Sequence, residues 1–327
     1  MKRIALFAVV LSLWAAPASA WAMDVLIQDL RRHVEAGDLH AAVRDLGAGA
    51  DVNARTINGM TPLMWAAQEG HVKLVHYLVA KGADVNALFG DKQSSALIMA
   101  IEGLHEDVVH ALLKHGADAN FRPRSGGTPL LRLSRFRLAK WEERRRALII
   151  VRHLLRYNVD VNARDNRQRT PLILAAQSDN PELVAMLLNH GAEVNLRDKY
   201  GENALMRAIE KGAMNIVHQL LDNGADVTLN DACGCSPLHI AAERGDSAIV
   251  SLLLQYKSPI DAPDADGYTP LMFAVRGKHP QNVSLLLEHG ADRTVRDHDG
   301  NTALILADRL ALQQIHDLLA AQEAVAK

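Results

Sequence analysis

The chain has 327 residues, 49% of them hydrophobic but only 4% aromatic, and a formal charge of −2 at pH 7. That length would ordinarily hold two domains. A charge so near balance excludes choosing a partner from net charge alone, and so few aromatics point to a core of Leu, Val, Ile and Ala.

Met1 to Ala20 differs in character from the remaining residues. Lys2 and Arg3 make a basic start. Ile4 to Trp14 is an apolar run of 11 residues, too short to span a bilayer. Ala18-Ser19-Ala20 then offers small residues at a cleavage site. This is the pattern of a secretory signal peptide, cut after Ala20 or, through Ala20-Trp21-Ala22, after Ala22. No cysteine follows the apolar run, so a lipid-anchored form is not expected. The short basic start and compact end look bacterial, which places the mature chain in the periplasm or outside the cell. Loss of Lys2 and Arg3 takes its formal charge to −4 (−2 minus 2).

The rest of the chain is periodic. The opening Thr61-Pro62-Leu63-Met64 reappears, with changes, at Ser95, Thr128, Thr170, Asn203, Ser236, Thr269 and Thr302, in steps of 34, 33, 42, 33, 33, 33 and 33 residues. A fixed period of this size marks a repeat array. Each part of the unit has a physical reason. Thr61 can N-cap a helix, and Pro62 suits its first position. Leu63, Ala66 and Ala67 fall on one face at helical spacing, and the alanines let a second helix approach closely. Gly70 ends this short helix. Val72, Leu74, Val75, Leu78 and Val79 make a second, more apolar one, and Gly82 stands where a helix end needs a left-handed residue. A glycine two places before most openings marks a turn, as Gly59, Gly126, Gly201, Gly234, Gly267 and Gly300; Gln93 and Gln168 replace it in two units.

These residues resemble the ankyrin repeat: the Thr-Pro-Leu opening with its paired alanines, the Glu-Gly-His turn at Gly70, the Gly-Ala-Asp endings, and tips such as Asp198 to Gly201. Only Ser236-Pro237-Leu238-His239 keeps the family's histidine. The resemblance runs from about Asp24 to the C-terminus. It implies an all-α solenoid of stacked helix-turn-helix units with β-turn or hairpin tips. The units expected are 24–60 as an N-terminal cap, 61–94, 95–127, 128–169, 170–202, 203–235, 236–268, 269–301, and 302–327 as a C-terminal cap. In the first, Leu30, Val34, Leu39, Ala42, Val43 and Leu46 carry the apolar face, with Arg31 and Arg32 outside. Lys257 replaces a closing glycine, and Ser258-Pro259 after it points to a remodelled turn. Asn158 replaces another.

The unit at Thr128 is longer by 9 residues (42 − 33), with the excess at 138–146. The first helix is expected to run on, or a helical loop to protrude. Eleven Lys or Arg lie between Arg122 and Arg156 against Glu142 and Glu143, a net of +9 (11 − 2) in an otherwise acidic protein. Arg132, Arg135, Arg137, Lys140, Trp141, Arg144, Arg145 and Arg146 are its candidate contacts. One reading is a docking surface for an acidic protein or for an anionic envelope surface such as lipid or lipopolysaccharide phosphates. The other is a solvated helix with Glu142 and Glu143 pairing to Arg145 and Arg146.

Catalytic and cofactor signatures are missing: there is no HExxH, GxSxG, phosphate loop or dinucleotide fingerprint. Asp264 to Gly267 and Asp297 to Gly300 lack the spacing of a calcium loop and read as tips. The histidines fall at repeat positions. His71 and His279 follow the inter-helix turn, while His115, His190 and His289 precede the closing glycine, all as helix-end residues suited to the dipole. No metal and no cofactor is expected. Cys233 and Cys235 flank a tip glycine. Incidental tip residues, a redox-sensitive or intermolecular disulfide, and soft-metal binding all stay open for them.

The expected function is non-catalytic binding of a protein partner by a monomer. The resemblance implies a groove lined by tips and inner helices: Asn58, Met60, Gln68 and Glu69, then Arg167, Arg169, Gln177 and Ser178, then Tyr200, Glu202, Glu210 and Lys211, and finally Glu243, Arg244, Tyr268 and Arg276. Tyr200 and Tyr268 are the expected anchors. Arg132 and Arg207 occupy a slot that elsewhere holds Trp65, Met99, Leu174, Ile240 or Phe273; either their stems snorkel or the groove is locally basic. The alternatives are binding of an anionic surface through the insertion and a redox accessory role for Cys233 and Cys235. Nucleic acid is not an expected partner.

Overall fold

In the computed structural model, residues 18–56, 59–91, 93–124, 126–136 and 140–321 are described. Most of the expected signal peptide, Asn58 and Arg137 lie outside them, as do the ends of the insertion and C-terminal cap expectations at 138–139 and 322–327. Both expected cleavage positions fall within the helix Ala18–Glu35. Among the described residues no helix is long and apolar enough to cross a membrane.

Helices pair down the chain, from Ala18–Glu35 with Leu39–Gly47 to Ala303–Arg309 with Gln313–Ala321. The openings fold as their chemistry dictates. The hydroxyls of Thr61, Ser95, Thr128, Thr170, Thr269 and Thr302 accept the third helical N–H at 3.3–3.5 Å, and Asn203 does so at 3.0 Å. Pro62, Pro171, Pro237 and Pro270 follow within the first helical positions, where a missing N–H costs nothing. Ala66 and Ala67 are fully buried, so the short inner helices lie close together.

The chain divides into two compact units, Met1–Leu133 with Leu138–Val159, and Ser134–Arg137 with Asp160–Lys327. In the first, Pro62–Gln68 packs on Ala96–Glu102, and Glu106–Lys114 on Trp141–Leu155. In the second, inner helices Pro171–Gln177, Ala204–Lys211, Pro237–Arg244, Pro270–Arg276 and Ala303–Arg309 pack in sequence. Both use the same stitch between layers. Asn53 donates to the Gly82 carbonyl at 3.1 Å and accepts from Asp84 N–H at 2.8 Å. Asn86 repeats this with Gly116 and Asp118, and Asn195 with Gly224 and Asp226.

Of the two forms expected for the tips, they take the turn, and the described residues hold an isolated bridge, Phe89 to Ser94. Other expectations need correction. The long layer extends its second helix: Pro129–Ser134 stops after six residues, whereas Trp141–Leu155 runs for 15 against nine in the other layers' second helices. Trp141 to Leu155 has strong helix formers and no glycine, so nothing stops it. In the first layer Val43 is exposed and Ala41 takes the buried place. Arg31 is not on the outer side, since its guanidinium lies 5.8 Å over the Trp65 ring of the next layer.

The turn at Lys257 is not remodelled. Its N–H reaches the Leu254 carbonyl at 2.9 Å and Ser258 N–H the Leu253 carbonyl at 3.0 Å, as Gly82 and Ala83 do with Val79 and Leu78. Lys257 therefore sits at φ 61°, and Asn158 at 49°. Lys257→Gly is expected to raise the midpoint of urea unfolding, corresponding to about 1 kcal/mol. Lys257→Ala keeps a Cβ and should give no such gain.

Candidate partner-binding face

In the second unit the tips are built on one repeated carboxylate. Asp165, Asp198, Asp231, Asp264 and Asp297 each accept backbone N–H groups two and four residues on, at 2.7–3.1 Å. Neighbouring tips join by single backbone bonds, such as Lys199 N–H to the Arg167 carbonyl and Ala232 N–H to that of Tyr200. The backbone is thus largely satisfied, and the intervening side chains are left to face outward.

The expected contacts divide by unit. In the first, Gln68 and Glu69 are exposed and Met60 half-buried. They border a hollow with Arg31 and Trp65. A larger groove of about 710 Å³ lies between Gln68, Phe89, Met99, Glu102 and Arg132. Phe89 and Glu102 were not among the expected contacts; the irregular turn at 89–94 was the available signal. In the second unit Arg167, Lys211, Glu243 and Arg244 are exposed, while Arg169, Gln177, Ser178, Glu202 and Glu210 are half-buried. Tyr200 is 48% exposed, with the Lys199 ammonium 4.6 Å from its ring. Tyr268 is half-buried, edge-on to Phe273 at 6.3 Å, and Arg276 stacks on both rings while bonding Glu243 at 3.1 Å. Burial, with Asp297 nearby, raises the Tyr268 phenol.

The two arginines in the apolar slot do not make a free basic groove. Arg132 bonds Glu102. Arg207 bonds Glu202, Glu210 at 3.0 Å, and Asp198 at 3.5 Å. Burial raises the Glu202 carboxyl and Arg207 opposes it. The insertion is also internally paired. Glu142 holds both Arg145 and Arg146, Glu143 holds Lys140, and Arg145 also reaches Glu106 at 3.7 Å. Glu143 therefore pairs backward to Lys140 rather than to Arg146. Arg135 bonds Asp165 at 2.8 Å. Arg144 lies on the same helix, and Trp141 at its start is 74% exposed.

His71 and His279 do not sit where a dipole favours imidazolium. They occupy N-caps. His71 Nε2 reaches the Glu35 carbonyl at 3.0 Å, and His105 Nε2 that of Gln68 at 2.8 Å. A methyl at Gly70 would lie 2.5 Å from the His105 ring, which requires the glycine. His190 and His289 do cap C-terminal ends, each bonding a carbonyl four residues back at 2.8 Å. His239 is fully buried. Its Nδ1 accepts from Ser236 N–H at 3.1 Å and its Nε2 donates to the Tyr268 carbonyl at 3.0 Å. Burial lowers its pKa, and that of His153, where His110 adds to the effect.

Among the described residues no group of three His, Cys, Asp or Glu is arranged to hold a metal. Cys233 is exposed and Cys235 half-buried, both as free thiols. Burial, aided by Asp231 and Asp264, pushes the Cys235 thiol up to about 12.

Comparison with known proteins agrees with this architecture. A family model described as ankyrin repeats (3 copies) matches residues 30–123, 144–231, 214–297 and 238–325, well over half of the chain. The chain belongs to the ankyrin-repeat family. The gap between the first two matches, 124–143, overlaps the start of the lengthened layer. An ankyrin repeat protein of fowlpox virus (strain NVSL) is 34% identical over 144 residues, 42% of this chain and 40% of the viral protein. The ankyrin repeat and KH domain-containing protein mask of Drosophila melanogaster is 37% identical over 82 residues, 25% of this chain and 2% of that protein. The B-cell lymphoma 3 protein homolog of Mus musculus is 33% identical over 125 residues, 38% of this chain and 26% of that protein. The chain thus spans less than half the length of these relatives. Ankyrin repeats are generally protein–protein interaction modules without catalysis of their own.

The titrating groups lead to two measurements. A histidine held neutral in the fold but free to protonate when unfolded loses stability as pH falls below its ordinary 6.5. The urea midpoint should therefore be lower at pH 5 than at pH 7.5, with His153→Gln narrowing the difference. In the folded protein at pH 8, a maleimide should label Cys233 freely and Cys235 at least roughly a hundredfold more slowly, since only the thiolate reacts.

Proposed function

We propose that this chain is a non-catalytic binding scaffold that, after export to the periplasm or beyond, grips a protein partner as a monomer through its tips and inner helices. Tyr200 carries the reading. It is a large amphipathic ring, half exposed on a tip whose backbone is already bonded to Asp198 and to the next tip. Such rings are common anchors of protein interfaces. The exposed Arg244 and Lys211 on the inner helices are further polar contacts of the proposed face.

The anionic-surface reading of the insertion draws less support, because Glu142 and Glu143 already hold Arg145, Arg146 and Lys140. The redox reading likewise fits poorly with a Cys235 thiol held protonated by its surroundings.

The test is capture from periplasmic extract on the immobilised mature chain, followed by binding measurements with the purified partner. Tyr200→Ala is expected to weaken binding about tenfold or more, while deletion of 138–146 leaves it unchanged. Retention no better than on an unrelated chain, or full affinity in Tyr200→Ala, overturns the reading.

A further inference from the structure

We propose that the pocket beside the inner helices Pro171–Gln177 and Ala204–Lys211 is a carboxylate-binding pocket that takes an acidic side chain of the partner protein. This rests on the partner-binding reading above and adds to it the chemistry that one end of the face selects.

The pocket has a volume of about 280 Å³ and is lined by Arg135, Arg169, Leu174, Gln177, Ser178 and Lys211. All six belong to the second compact unit. This size is below the usual range for a drug-sized ligand and suits a single side chain. Its lining holds three cations and no carboxylate. Behind it lies Asp165, with only 2% of its side chain exposed. Arg135 Nη2 bonds Asp165 Oδ2 at 2.8 Å, and Arg169 bonds the same oxygen through Nη2 at 2.8 Å and Nε at 3.0 Å. Asp165 Oδ1 is taken by the N–H groups of Arg167 and Arg169. Burial works to raise this carboxyl, but those hydrogen bonds together hold it below the usual carboxylate range.

One carboxylate thus neutralises one of two guanidiniums. Lys211 adds a further positive charge, and no ion pair offsets it among the described residues. Glu210, its neighbour, is spent on Arg207. The pocket therefore carries two positive charges in excess of its own anion. Keeping such charges together is unfavourable unless an anion arrives.

The geometry also favours a carboxylate. A guanidinium has five N–H donors in one plane. Arg135 commits one nitrogen to Asp165 and Arg169 two, so each keeps donors for a second acceptor. Asp165 holds both planes in place before binding, which lowers the ordering cost. Planar forks match carboxylates in two-point contacts. Leu174 gives an apolar wall for the methylene stem of Glu or Asp, and the Gln177 amide can donate. The Ser178 hydroxyl donates to the Ser134 carbonyl at 3.2 Å and only frames the pocket. An arginine pair that merely braced the tip would not require Lys211 in the lining of the same pocket.

The test uses the mature chain and a peptide, acetyl-Gly-Glu-Glu-Glu-Gly-amide, with its glutamine counterpart and inorganic phosphate as probes. NMR follows the Arg135 and Arg169 Nε–H and the Gln177 side-chain amide. The Glu peptide is expected to shift all three, more weakly as salt rises, and the Gln peptide to shift none. Lys211→Gln should weaken binding about tenfold with an unchanged melting curve, and Lys211→Arg should restore it. Silence at these three groups, equal binding by the Gln peptide, or full affinity in Lys211→Gln overturns the proposal. So does phosphate binding more tightly than the peptide, which would make this a phosphate site. The two readings fail separately. A silent pocket with a partner still held through Tyr200 removes only this inference. A responsive pocket with no protein retained removes the partner.

Discussion

A layer made of two short helices cannot close itself. The turn after the second helix leaves carbonyl and N–H groups that need partners, and the layer is too thin to hide them. In this chain the preceding layer answers. Asn53 reaches across to the Gly82 carbonyl and the Asp84 N–H with one side-chain amide, and Asn86 and Asn195 do the same further on. Each of these three turns is thus finished by a residue about thirty positions away. Within a unit, a layer is complete only where its neighbour stands, which is the nearest-neighbour logic of repeat proteins.

What could be read from the chain was chemistry that acts at short range. Thr61, Pro62 and Gly82 announce cap, start and stop by their own conformational preferences, and the structure places them so. The role of Asn53 was hidden because its partners lie in another layer. Lys257 misled for the same reason: its own preference is against a positive φ, but the bonds of Lys257 and Ser258 to Leu254 and Leu253 impose one. The positive excess between Arg122 and Arg156 is offset from outside that segment in a related way, since Arg132, Arg135 and Arg145 find Glu102, Asp165 and Glu106. Within the candidate face, the exposure of Gln68, Arg167 and Tyr200 follows from their places in the repeat, whereas pairings such as Arg207 with Glu202 and Glu210 do not.

The frame and the face are separated chemically. Buried aspartates such as Asp198 and Asp297 consume the tip N–H groups, and the one or two side chains directly after each aspartate are left exposed. Tyr200 and Arg167 illustrate these positions. Arg207 is the exception: it stands in an apolar slot and depends on Glu202, Glu210 and Asp198, so that stretch trades freedom of sequence for a fixed ionic cluster.

The lengthened layer keeps step with its neighbour. Asn120 donates to the Asn158 carbonyl at 3.1 Å, just as Asn86 donates to that of Gly116 at 3.0 Å. The surplus residues are absorbed upstream of the closing turn, before register is set. Length there is decoupled from phase, so this is the place where the first unit could acquire, lose or be given foreign sequence during its history while the turn at Asn158 keeps its bond to Asn120.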